Sequence, residues 1–147
     1  MTTPNTLPEG LHPDTLAVRA ALEKSQYGEN SDALFLTSSF VQPTAETAAR
    51  RFALEEDGYT YTRVGNPTVS SMELRLAAME GTEAAIATST GMAAILLLGM
   101  GLLKNGDHVV CSQSVFGSTI RLFAGEFAKF GISTSFVSQT DVQEWKA

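Results

Sequence analysis

The chain has 147 residues, 44% of them hydrophobic and 18% charged, with ten Lys and Arg against sixteen Asp and Glu for a net charge of −6. The length suits one domain of about 100–200 residues, and an acidic balance without any basic run argues against a nucleic-acid or anionic-membrane surface. The single cysteine, Cys111, cannot build a disulfide framework; it reads as a small buried hydrophobe and fits a reducing compartment.

The opening MTTPNTLPEGLHPDT has neither the basic start nor the apolar core of a signal peptide. Helical spacing of Leu16, Arg19 and Ala20 predicts a helix over His12–Leu22, and Ala45, Ala48, Ala49 and Phe52 predict another over Thr44–Glu56. Between them, Asn30–Pro43 is rich in Ser and Thr yet carries Leu34, Phe35, Leu36, Phe40 and Val41. That many large apolar groups do not belong in a solvated linker, so the segment is expected to pack against something, with another subunit as one candidate.

From Asn66 the pattern is regular. Asn66 is a natural N-cap before Pro67, which has no amide to waste at a first helical position; Met72, Leu76 and Met79 give an apolar stripe and Gly81 the stop. A short apolar run, Ala84–Ala87, reads as a strand, followed by a polar turn at Thr88–Thr90 and an apolar helix from Gly91 to Leu103. No charge occurs between Glu83 and Lys104, but the hydroxyl residues divide this gap, and the longer run is shorter than the about 20 residues of a spanning helix. It is expected to be a buried core helix, and the chain to be cytoplasmic. His108–Ser112 and Ile132–Val137 read as strands flanking a helix over Ser118–Phe130. Alternation of this kind indicates an α/β domain with a largely parallel sheet.

Thr140 or Asp141, with Gln143 or Glu144 three positions later, predicts a capping box opening a further helix that Ala147 cuts off in its first turn. So short a helix cannot offset its nucleation cost, and three strands leave an exposed apolar edge. The expectation is an N-terminal piece of a longer protein.

Three segments could carry chemistry. At Ala87-Thr88-Ser89-Thr90-Gly91-Met92 a strand turns through hydroxyl residues into a helix, whose unpaired amides, dipole and Ser89 and Thr90 hydroxyls would suit a phosphate. Taken singly, such a segment is more often only an N-capped buried helix. Tyr61 and Arg63 point the same way if their segment is extended, offering a phenol and a guanidinium to one oxyanion, or else mark an edge with an exposed arginine. Phe116 follows a strand's C-terminal end, where α/β sheets place ligands; it could stack on a flat ring or fill a core. Gly99-Met100-Gly101 lies inside a predicted helix and is no dinucleotide fingerprint, and His108 and Cys111 point to opposite faces of a strand, so no metal site is assigned.

In order, Thr37-Ser38-Ser39-Phe40, Tyr61-x-Arg63-x-x-Asn66-Pro67-Thr68, Ser89-Thr90-Gly91-Met92-Ala93-Ala94 and Phe116-Gly117-x-Thr119 resemble the cystathionine γ-synthase/γ-lyase family of pyridoxal-phosphate enzymes, also called the Cys/Met metabolism family. The resemblance runs from about Leu11 to the end. It implies the fold-type-I architecture: an N-terminal arm and intersubunit contact region over 1–60, then over 61–147 the first part of a large cofactor domain with a mainly parallel sheet. It implies pyridoxal 5'-phosphate held by Ser89, Thr90, Gly91 and Met92, with Phe116 stacked on its ring. It further implies that Tyr61 and Arg63 reach the phosphate of an adjacent subunit, so that dimerisation, usually within a tetramer, completes the sites. Many members have a tyrosine where this chain has Phe116, and the Val-Phe-Gly-Ser-Thr context looks most like the O-succinylhomoserine sulfhydrylase branch, which makes homocysteine on the way to methionine. Other implied alternatives are a cystathionine γ-synthase, a γ-lyase, or a truncated paralogue that only dimerises. None of Lys24, Lys104, Lys129 and Lys146 has the Ser-x-Thr-Lys setting of the family's Schiff-base lysine, so the chain alone is expected to be inactive.

Overall fold

The computed structural model describes residues 10–146, so the first nine residues, which include the start of the expected arm, and Ala147 lie outside the described residues. The chain gathers into two compact units that meet between Ala87 and Thr88.

The first unit holds α1 (Pro13–Arg19), α2 (Ala45–Phe52) and α3 (Pro67–Glu80). Two of them are shorter than the spacing predicts, for different reasons. α1 stops because Ala20 is extended and Ala21 left-handed (φ 56°). Their carbonyls accept instead from distant side chains, Arg75 Nε at 2.9 Å and Ser71 Oγ at 3.2 Å. α2 stops because Leu54 adopts the left-handed conformation (φ 60°) usually left to glycine, while the Glu55 amide returns to the Arg50 carbonyl. Ion pairs from Arg50 and Arg51 to Glu56 hold that turn, the Arg50 guanidinium foremost in keeping the Glu56 carboxyl below the usual carboxylate range.

α3 follows the sequence closely. Asn66 caps it, accepting from the Thr68 amide at 2.8 Å, and Gly81 ends it at φ 64°. Its stripe does not become core: Met72, Leu76 and Met79 remain substantially exposed, and the buried residue is Ala77. Where the chain leaves α1, Ala20, Ala21 and Leu22 are buried, and α3 reaches the first two through Arg75 and Ser71. The Asn30–Pro43 segment is tied on through its backbone, by Phe40 N–H to the Thr60 carbonyl, Thr62 N–H to the Ser38 carbonyl and a bridge between Ser39 and Tyr61. Phe40 rests on Tyr59, but most of the segment's other apolar side chains are left uncovered, Leu36 and Val41 being 93% and 98% exposed.

The second unit is a β-α-β crossover beside a helix. α4 (Gly91–Leu102) precedes β1 (His108–Ser112); a helical stretch then leads to β2 (Ser133–Val137), which pairs parallel to β1 in a register from His108↔Ser133 to Ser112↔Val137. The intervening helix is composite: α5 (Gly117–Arg121), one π turn over Leu122–Glu126 and a 3₁₀ turn over Phe127–Phe130, ended by Gly131 at φ 75°. The wide turn brings Phe127 inward; it is fully buried, with Phe123 at 5.1 Å between ring centroids, and a Cβ on Gly99 of α4 would overlap its ring. Cys111, Ile132 and Val137 complete this core, and burial pushes the Cys111 thiol up, keeping it protonated.

Three expectations fail in this region. Ala84–Ala87 forms no strand, because a strand exists only as a ladder and no described residue offers it one; the Ala87 amide instead donates to Glu73 at 2.7 Å. The sheet therefore has two strands, both parallel as expected. α4 is not a buried helix: Leu96, Leu97, Leu98, Met100 and Leu102 are exposed and only Gly99 is buried, since within its unit only the Phe127 side faces a partner. The terminal capping box opens a 3₁₀ turn, Glu144–Lys146, in which Asp141 accepts from the Gln143 amide and Glu144 reaches back to Ser138. Among the described residues no helix is long and apolar enough to cross a membrane.

Candidate functional site

The first turn of α4 presents backbone amides that the chain itself leaves open. Thr90 caps it, its hydroxyl oxygen accepting from the Ala93 amide at 3.0 Å, while Ala94 N–H bonds the Thr90 carbonyl at 3.1 Å. That leaves the amides of Gly91 and Met92 with no acceptor among the described residues, at the positive end of the helix. The Thr90 O–H is still free to donate, Ser89 is exposed with its hydroxyl unpaired, and Thr88 is spoken for by the Thr90 carbonyl. Gly91 is exposed and a Cβ placed on it would meet nothing within 4 Å, so the turn is open to solvent. Two amides, two hydroxyls and clear space match the donor set a phosphate requires.

Phe116 stands at the N-terminus of α5, 71% exposed, and is not a core residue. The unit brings this turn to the α4 turn: buried Thr119 sets its hydroxyl 3.8 Å from the Met92 sulfur. Met92 therefore has two jobs, an amide open to solvent and a side chain that docks α5. Thr119 lay in the quoted motif, but sequence reasoning assigned it no place in the site; the small hydroxyl residue three after Phe116 is the signal that could have done so.

Tyr61 and Arg63 lie in the first unit, in a turn rather than an extended strand, with Val64 and Gly65 amides both bonding the Tyr61 carbonyl. They still adjoin, because the Arg63 guanidinium lies over the Tyr61 ring at 5.6 Å. No ion pair or hydrogen bond occupies that guanidinium or the phenol hydroxyl among the described residues. Both border a cleft of about 400 Å³ that Phe40, Phe52 and Val64 also line. An exposed arginine without a counter-charge beside a free phenol is a pair of donors awaiting an oxyanion. No group of three or more metal-ligating side chains occurs among the described residues.

A helix turn with open amides, an exposed phenylalanine beside it and a β-α-β crossover fit the cofactor domain of a fold-type-I pyridoxal-phosphate enzyme, and solved structures agree on the fold. An O-acetylhomoserine (thiol)-lyase structure from Campylobacter jejuni, carrying N'-pyridoxyl-lysine-5'-monophosphate, superposes with a TM-score of 0.84 at 28% identity, covering 93% of this chain and 34% of that one. The profile of the Cys/Met metabolism PLP-dependent enzymes matches residues 14–147, and the chain belongs to that family. Its relatives include an O-succinylhomoserine sulfhydrylase of Pseudomonas aeruginosa, 52% identical over 95% of this chain and 34% of the relative. An L-methionine gamma-lyase of Fusobacterium nucleatum is 44% identical over 90% of this chain and 33% of the relative. The chain thus spans about a third of the length of the curated relatives it matches, and its cofactor is pyridoxal phosphate.

Proposed function

We propose that this chain supplies the phosphate-binding part of an enzyme that replaces the succinyl group of O-succinylhomoserine by sulfide. The Cγ–O bond breaks, a Cγ–S bond forms, and homocysteine and succinate leave. The single observation that carries this choice of reaction is the 52% identity to the Pseudomonas aeruginosa sulfhydrylase across 95% of the chain. In this reading the Gly91 and Met92 amides and the Ser89 and Thr90 hydroxyls hold the cofactor phosphate, and Phe116 stacks on its ring. Tyr61 and Arg63 reach the phosphate site of a neighbouring subunit, which makes the uncovered Asn30–Pro43 segment an intersubunit contact within a dimer or tetramer, in the cytoplasm. The arm would then occupy 1–60 and the cofactor domain begin at 61, a division by role that differs from the compact units, where 61–87 go with the first.

When bound, pyridoxal phosphate supplies an electron-withdrawing ring that allows protons to leave substrate carbons. The residues of this chain bind and orient it: backbone amides and a helix dipole fix the phosphate without a mobile charge, and phenylalanine offers a flat face but no proton. None of Lys24, Lys104, Lys129 and Lys146 is assigned the covalent anchor, so the 147-residue chain is proposed to be inactive by itself.

A second reading, γ-elimination from methionine, is favoured by the 44% identity to the Fusobacterium nucleatum lyase. Assaying the full-length protein with O-succinylhomoserine and either sulfide or cysteine, and with methionine alone, separates them. Homocysteine formed fastest with sulfide supports the proposal. Preference for cysteine replaces it with a cystathionine-forming enzyme, thiol release from methionine with a lyase, and no turnover by cofactor-loaded protein with a non-catalytic paralogue.

A further inference from the structure

Asn66 is 3% exposed, one of the few deeply buried polar residues in the first unit, and its amide group is fully used. Its Oδ1 accepts from the Thr68 amide at 2.8 Å, which is the helix cap. Its Nδ2 faces the other way and donates twice, to the Phe35 carbonyl and to Thr62 Oγ1, each at 3.0 Å. The Thr62 hydroxyl passes the connection on, donating to the Thr37 carbonyl. Capping accounts for the oxygen alone, and a serine would serve that purpose as well. The nitrogen ties together three stretches of chain: the start of α3, the 35–37 segment and the turn that contains Thr62.

Thr62 sits between Tyr61 and Arg63. The two residues that face the cleft have no side-chain hydrogen bonds among the described residues, so the backbone between them sets where the phenol and guanidinium stand. That backbone is pinned by Thr62 on both sides, through its amide to Ser38 and its hydroxyl to Asn66 and Thr37. We infer that Asn66, acting through the Thr62 hydroxyl, is a positioning residue that holds the Tyr61–Arg63 turn in the geometry that takes a phosphate. This rests on the reading of Tyr61 and Arg63 as phosphate ligands. A turn left free to rearrange would spend binding energy on ordering itself, and the loss falls on the phosphate rather than on the ring.

The test compares affinities of the full-length apoprotein for pyridoxal 5'-phosphate and for pyridoxal, which lacks the phosphate, together with the melting temperature of each apoprotein. Thr62→Val and Asn66→Ser are expected to weaken pyridoxal phosphate binding about tenfold, the net scale of a typical hydrogen-bond contribution. Pyridoxal affinity should stay within about twofold. Thr62→Ser, which keeps the hydroxyl, should restore the phosphate preference, and Thr62→Val should add nothing once Arg63 is alanine, because coupled residues are not additive. Arg63→Ala separates the two layers. If that change leaves the preference for pyridoxal phosphate intact, the ligand reading fails. If it abolishes the preference while Thr62→Val and Asn66→Ser do not alter it, or if they weaken pyridoxal equally, the positioning role is overturned and the ligand reading stands.

Discussion

In residues 10–87 the side chains that join distant parts of the chain are mostly polar, whereas in residues 88–146 the buried side chains are mostly apolar. Asp32 receives both Nη2 contacts of Arg75, at 2.8 and 3.0 Å, and the Ser71 hydroxyl at 2.8 Å, linking positions some forty residues apart. Arg51 bridges Glu56 and Gln42, whose amide donates to the Phe40 and Tyr59 carbonyls, and Asn66 joins α3 to the 35–37 segment. Past residue 88, the buried centre is one phenylalanine on a glycine, flanked by Cys111, Ile132 and Val137. Directional bonds fix where a turn stands, which suits a region proposed to present Tyr61 and Arg63. Close packing fixes the distance between a helix and a sheet, which suits one that presents a helix terminus and a flat ring.

The largest expected effect tests the apolar side. Phe127→Ala removes the one side chain of the second unit with no exposure at all, and truncations of this kind cost about 3–5 kcal/mol. Hydrogen exchange on the full-length protein should show protection lost in β1, β2 and α4 while amides of α3 keep theirs. Equal loss in α3 would mean that the two units share one cooperative transition and that the contrast drawn between them has no energetic meaning.

How much of this was legible in the sequence follows the same division. Asn66, Pro67 and Gly81 announced α3, and Thr90 with Gly91 announced the start of α4, because capping is a contract between residues three or four apart. β1 was placed to the residue and β2 to within one, since Gly106 and Gly131 mark where each can begin. What failed depended on distant partners. The end of α1 is decided by Arg75 and Ser71 claiming the Ala20 and Ala21 carbonyls, fifty residues away, and the end of α2 by a leucine doing what glycine normally does. The site's donors were visible as residue types, but the exposure of Phe116, the contact of Met92 with Thr119 and the nitrogen of Asn66 were not.

The polar side is tested next. Burial pushes the Asp32 carboxyl up, but the hydrogen bonds of Arg75 and Ser71 and the guanidinium charge outweigh it, so its pKa is held below the ordinary aspartate value. A depressed folded-state pKa contributes stability that is fully present above the unfolded value, near about 4, and is lost as pH falls through the folded one. Asp32→Asn should therefore destabilise the first unit by about 1–2 kcal/mol at neutral pH, a figure discounted for partial exposure of both partners. The gap between variant and parent in urea melts should narrow below about pH 4. A gap unchanged by acid would show that the carboxylate charge is idle and that shape alone holds α1 to α3.

The smallest effect on stability bears most directly on the site, because Thr90 serves both the fold and the proposed ligand. Thr90→Ala removes the acceptor for the Ala93 amide and should cost about 1 kcal/mol, fraying the first turn of α4. Thr90→Asp keeps an oxygen acceptor at the cap and complements the helix dipole, so stability should equal or exceed that of the parent. Toward a phosphate the order changes. The aspartate presents a negative charge beside the Gly91 and Met92 amides, so both variants should bind pyridoxal phosphate more weakly, the aspartate more than the alanine. Thermal melts of the apoprotein and cofactor titrations read the two quantities separately. If affinity simply tracked stability across the pair, the open amides would be an ordinary helix end, and the anion-facing design read from residues 88–92 would be refuted.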